Sequence, residues 1–143
     1  MPILNYTTQI SSFKTVAEIQ QKLARAGALS ININYDDKSE PVGLIFVIKL
    51  HDEYVNFQLP SNWQGVLKAM KNDRSVQGRF KTEQQARRVA WRILKDWTEA
   101  QLAIIEAGLA TLPEVFLPYA VMRSGLTVYQ SFERGKLLGS GES

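Results

Sequence analysis

Residues 86–97, ARRVAWRILKDW, put Arg87, Arg88, Arg92, Lys95 and two tryptophans into just over three helical turns. Guanidinium and ammonium groups can grip phosphates through charge-assisted hydrogen bonds, and an indole among them offers a face on which a base can stack. With Ala86 at zero and an advance of about 100° per residue, Ala86, Val89, Ala90, Ile93, Leu94, Trp97, Ala100, Ile104 and Ala107 share one broad arc, which is predicted to face the core. Arg88, Arg92, Lys95 and Glu99 lie opposite. Trp91 leaves the core arc and projects beside Arg87 and Lys95, with Leu102 and Ile105 along the same edge. One reading makes Trp91 a stacking platform among cations. The other folds the segment with Phe116, Leu117, Tyr119 and Val121 over that edge, so that Trp91 joins the core and the arginines form a solvated rim.

A second basic stretch precedes this one. NDRSVQGRFK, residues 72–81, carries Arg74, Arg79 and Lys81 with Phe80 between them, and Lys68 and Lys71 come just before it. Such a loop is either a hydrated charge run or a phosphate grip. The candidate nucleic-acid-binding set is therefore Arg74, Arg79, Lys81, Arg87, Arg88, Trp91, Arg92 and Lys95.

Other chemistry has little material to work with. The chain has no cysteine and one histidine, so thiolate metal sites, disulfides and most nucleophile–base pairs have no components. His51 falls in a turn beside Asp52 and Glu53, where solvent exposure is expected. Asp36 and Asp37 are also turn residues, suited to Asx hydrogen bonds. Phosphate-loop, G-x-S-x-G and H-E-x-x-H motifs do not occur. The expectation is no catalytic residue, no metal site, no cofactor and no hydrolytic activity dependent on His51: a protein that is not an enzyme.

The elements that must position these groups follow from period and caps. Thr15 and Glu18 have capping-box spacing, Val16, Ile19 and Leu23 follow on one face, and Gly27 suits the residue after the helix. LSININY then alternates with period two. VGLIFVIKL is apolar on both faces and reads as a central strand covered on both sides or nearly so. YVNFQL alternates again after the tight turn HDE. Short turns make the three strands an antiparallel meander. Ser61 with Gln64 opens a short helix faced by Trp63, Val66, Leu67 and Met70. Thr82 with Gln85 opens the longest helix, to about residue 107 or 108. Pro113 and Pro118 bracket a short helix, and Thr127 with Gln130 opens a last one through about residue 133. The predicted fold is α+β: one helix, a three-stranded antiparallel meander packed against a long helix, and a short helical C-terminal segment. Phe46, Phe57, Ile93 and Trp97 are expected in its core.

The chain has 143 residues, 45% hydrophobic and 22% charged, with net charge +3 and a pI of about 9.2. That suits one domain over residues 1–138, with a Gly/Ser-rich flexible tail at 139–143. The charge is compatible with a polyanionic partner. The N-terminus lacks the pattern of a signal peptide, and the apolar run at 42–48 is too short to span a bilayer. A soluble cytoplasmic protein with no membrane partner is expected.

The order helix, meander, helix resembles double-stranded-RNA-binding domains, and KTEQQARRVAWRIL is similar to their basic closing helix. Here a helix and a basic loop intervene before it, and only Gly78, Arg79 and Lys81 stand near the place of the family's glycine–lysine cluster. QQARRVAWRILKDWTEAQLAIIEAG, EVFLPYAV and GLTVYQSF resemble a family of small uncharacterised phage and prophage proteins over residues 15–133. That resemblance implies a phage product in a bacterial host cell, acting on nucleic acid or on a host protein. Two functions follow: an accessory protein that binds DNA or RNA through the basic helix face and loop, or a non-enzymatic inhibitor or adaptor that binds a host complex.

Overall fold

Ser11, not Thr15, caps the first helix. Its side chain accepts the Lys14 N–H, and helix α1 runs Ser12–Arg25. Lys14 at the third helical position hides this start from a capping-box search, while Thr15 turns inward and bonds the Ser11 carbonyl. Ser12, Thr15, Val16, Ile19 and Leu23 form the buried face. The helix ends in a Schellman arrangement: Gly27 and Ala28 donate to the Ala24 and Leu23 carbonyls, with Gly27 at φ 109°. Gly27→Ala is expected to lower stability by about 1–2 kcal/mol, because a Cβ is disfavoured at positive φ. Chemical denaturation measures this, and an unchanged midpoint would show that the turn relaxes freely.

The computed structural model describes residues 3–135; the tail proposed at 139–143 lies outside them. Strands β1 (Ser30–Tyr35), β2 (Pro41–Leu50) and β3 (Glu53–Pro60) form an antiparallel sheet in the order β1-β2-β3. His51 and Asp52 join β2 to β3 at φ 49° and 66°, the left-handed pair of a two-residue hairpin. His51 is an exposed turn residue, as its position suggested. The register sets Phe46 beside Ile31 and Phe57, and Leu44 beside Ile33 and Leu59. This face is the core side. Phe46 and Phe57 stack at 5.1 Å, and Phe116 meets them edge-on at 5.5 and 6.2 Å. The opposite face is open, contrary to the expectation of a strand covered on both sides. Asn32, Asn34, Tyr54 and Asn56 are exposed there, with Ile45 and Val47 half-buried among them.

Helix α2 (Trp63–Asn72) is capped by Asn62, one residue later than the Ser61–Gln64 spacing implied. Helix α3 (Glu83–Glu106) is capped by Thr82 as read. It is sandwiched, and so it buries more than one arc. Ala86 and Val89, with half-buried Ile93, meet Met70, Val76 and α2. Trp91, Leu94, Leu102 and Ile105 meet the sheet side and its aromatic core. The single arc drawn from Ala86 was therefore half of the packing surface. Ala100 and Ala107 are exposed, while Arg87, Trp91 and Thr98 are buried. Ile93 and Trp97 are half-buried; the Trp97 ring rests edge-on against Phe116 and Tyr119 at 5.5 and 5.4 Å.

Helix α4 (Leu112–Phe116) and helix α5 (Val128–Glu133) both start with complete capping boxes, at Thr111/Glu114 and Thr127/Gln130. Between them the chain pairs with the outer edge of β3: Val121 N–H donates to the Asn56 carbonyl at 2.8 Å, and Phe57 bridges Ala120. β1 is then the sheet edge with no strand partner among the described residues.

Candidate nucleic-acid interface

Trp91 is not a platform. Its residue is fully buried and its indole Nε1 donates to the Pro41 carbonyl at 3.0 Å. The stacking role read from the sequence is withdrawn, because the sheet and the segment around Phe116 cover that edge of α3.

Arg87 is also internal. Its guanidinium lies 4.4 Å over the Trp63 ring, with Nη2 2.8 Å from Asp36 Oδ2 and 2.9 Å from Glu83 Oε2. Lys38 reaches the same Glu83 oxygen at 3.1 Å. This cluster ties the β1–β2 turn to the start of α3. Asp36 Oδ1 also accepts the N–H groups of Lys38 and Glu40, the Asx arrangement expected of that turn. Nη1 of Arg87 is enclosed without a hydrogen-bond acceptor among the described residues, so the residue cannot turn outward to a phosphate without breaking the cluster.

The remaining helix cations lie along the side of α3 that borders α1. Arg92 bonds Glu18 at 2.7 Å and Thr15 at 3.3 Å. Lys95 bonds Glu99 at 2.9 Å, and Glu99 bonds Lys22 on α1 at 2.7 Å. Arg88 grips the Gln85 amide oxygen through Nε and Nη2, and no carboxylate among the described residues pairs with it. The expected single positive surface of helix back and loop is thus interrupted: Arg92 is spent holding α1 against α3, and Lys95 is paired within α3 to Glu99.

The loop cations are placed differently. Arg74 and Arg79 are exposed and Lys81 is half-buried, and no carboxylate among the described residues bonds any of them. The loop itself is pinned. Val76 is buried against Met70, Phe80 meets the Tyr6 ring edge-on at 5.5 Å, and Asp73 accepts both the backbone and side-chain hydrogens of Ser75. Arg79 is held over Phe80 at 4.7 Å and bonded to Gln77 at 2.9 Å. Lys68 and Lys71 project from the exposed side of α2 just before it. Residues 68–81 therefore hold five cations against one carboxylate, Asp73, whose pKa is held below 3.8 first by the Ser75 hydroxyl, then by the Ser75 backbone, and further by the charge of Lys81.

Three half-buried carboxylates of these ion pairs are held below their ordinary pKa. Partial desolvation pushes Asp36 up, but the N–H groups of Glu40 and Lys38 and the Arg87 guanidinium outweigh it and leave it below 3.8. Hydrogen bonds from Lys38 and Arg87 hold Glu83 below 4.5, and those from Lys22 and Lys95 do the same for Glu99. Folding favours the charged form of each, so their stabilisation is present above the ordinary values and is lost as pH falls through the lowered ones. The melting temperature is expected to hold from about pH 7 to about pH 5 and to fall once the pH drops below 4.5. A melting curve that stays level to about pH 3 would show that these pairs contribute nothing.

A groove of about 590 Å³ lies between the ends of α1 and α3, with Lys22, Arg25, Glu99 and Glu106 as its charged groups and Leu102, Ile105 and Leu112 as its apolar ones. Glu99 is already engaged by two lysines, and a carboxylate held low is a weak base near neutral pH. Among the described residues no cluster of three or more His, Asp or Glu is placed to hold a metal ion, and no helix is long and apolar enough to cross a membrane.

Comparison with known families, with curated proteins and with solved structures finds no match. The function must be argued from the chain itself.

Proposed function

We propose that this protein is a non-enzymatic nucleic-acid-binding accessory protein whose contact surface is the basic patch of Lys68, Lys71, Arg74, Arg79 and Lys81. The observation that carries this reading is the contrast in how cations are used. Arg87, Arg92 and Lys95 have carboxylate partners within the fold, whereas the five patch cations, two on α2 and three on a loop held by buried Val76 and half-buried Phe80, have no ion-pair partner among the described residues. Cations without carboxylate partners on a pinned loop and the helix before it suit a regularly charged backbone and carry little base information. Arg88, lacking a carboxylate, extends the set toward α3. The resemblance to phage proteins supports a setting in the cytoplasm of a bacterial host, with DNA or RNA as the polyanion.

Fluorescence anisotropy with single-stranded and duplex DNA and RNA tests this. Binding is expected at about 50 mM salt and should weaken steeply by about 200 mM, with little dependence on sequence. The absence of binding to every probe at low salt would end the reading and bring forward the alternative, an inhibitor or adaptor that binds a host protein complex.

A further inference from the structure

The strand at the open edge of the sheet, SININY, carries no lysine, no proline and no charge. Soluble proteins protect free edges with those devices, because unpaired backbone N–H and C=O groups recruit another strand. Between α1 and β1 lies a hollow of about 510 Å³ lined by Ala17, Gln20, Gln21, Ala24, Leu29 and their neighbours, none of them charged. Leu29 is 60% exposed at its rim. At the other end of β1, Phe13 of α1 and Tyr35 stack at 6.4 Å and are 52% and 55% exposed. In a chain with 22% charged residues, an uncharged strand and hollow with exposed aromatics at the far end have the composition of an interface centre.

The geometry points to a second copy of this chain as the occupant: two β1 strands pair antiparallel about a two-fold axis through Asn32. Hollow and aromatic pair sit at opposite ends of one strand. A two-fold axis at its middle therefore sets the Phe13–Tyr35 knob of each copy against the hollow of the other. In this register Asn32 faces its own counterpart and Ile31 faces Ile33 of the second copy, so apolar meets apolar on the helix side and amide meets amide on the open side. The two α1 helices run antiparallel across the joint, where Ala17 and Ala24 allow close approach. The result is a closed, isologous dimer with one continuous six-stranded sheet, rather than an open chain of copies. This dimer stands independently of the polyanion reading, since the basic patch lies on α2 and its loop.

The absence of cysteine from the sequence provides a clean test. Directly opposed residues of an antiparallel pair have Cα atoms roughly 4.5–5.5 Å apart, within disulfide range. Asn32→Cys should therefore oxidise rapidly to a covalent dimer at dilute protein, whereas Asn56→Cys, on β3, should not. Sedimentation equilibrium of the unmodified chain should give twice 16.2 kDa. Ala17→Arg with Tyr35→Lys should weaken association at least about tenfold, by placing charge in the hollow and on the knob. If that variant fails to fold, the Asn32→Cys rate decides. A monomer at the highest soluble concentration, or Asn32→Cys crosslinking no faster than Asn56→Cys, would overturn the proposal.

Discussion

Trp91→Ala is expected to lower the unfolding free energy by about 3–5 kcal/mol, the range for removing a large aromatic from a packed core. Trp91 is fully buried in the aromatic core that holds Phe46, Phe57 and Phe116. Its loss opens a cavity at the centre of the domain and leaves the Pro41 carbonyl without its indole donor. Trp91→Phe should recover part of the volume but not the hydrogen bond, and so fall between the two. Trp97→Ala should cost less, because Trp97 is only half-buried and covers Phe116 from outside. The order reverses the one expected from sequence, in which Trp97 was the core tryptophan. Urea denaturation of the three variants measures it, and a Trp91→Ala protein as stable as the parent would refute the packing described.

The two tryptophans show where sequence reading of this chain stops. Strand periodicity was legible because one face alternates cleanly: Ile31, Ile33, Val55, Phe57 and Leu59 all point to the core side. Helix boundaries were legible at Thr82 and Thr127, where a hydroxyl is followed three residues later by Gln; the same kind of spacing at Thr111 and Glu114 opens the helix that Pro113 marks. The partners of α3 were not. A helical wheel assumes one buried arc and one wet one, but this helix has the sheet on one side, α2 on another and α1 on a third, so the wheel leaves Trp91 open between a platform and a covered residue, and the packing against Phe116 decides for the covered one. The Glu83–Arg87 and Lys95–Glu99 pairs were readable from their spacing of four. Asp36–Arg87 and Glu18–Arg92 join residues 51 and 74 positions apart, and no local pattern announces them. Those two pairs are what remove Arg87 and Arg92 from the candidate surface. Lys68 and Lys71 were visible as neighbours of the basic loop; only the packing of α2 shows that both are exposed.

Replacing Arg74, Arg79 and Lys81 together by Gln should therefore damage binding far more than replacing Arg88 and Arg92. Each lost phosphate contact reduces the slope of log affinity against log salt by about 0.7–0.9, so the triple change should flatten it by roughly two to three and weaken binding at low salt on the order of a hundredfold. The loop fold should survive, since Val76 and Phe80 hold it and Arg79 merely lies over the Phe80 ring. Arg92→Ala acts differently. It frees Glu18 and loosens α1 from α3, so its first effect is on stability, with the salt slope almost unchanged. A salt titration run beside thermal melts separates the two classes: one variant binds poorly and melts normally, the other binds normally and melts early. If the Arg88 and Arg92 changes flattened the slope as much as the loop changes do, those arginines would have to leave their internal partners on binding, and the helix back would regain the role that its sequence suggested.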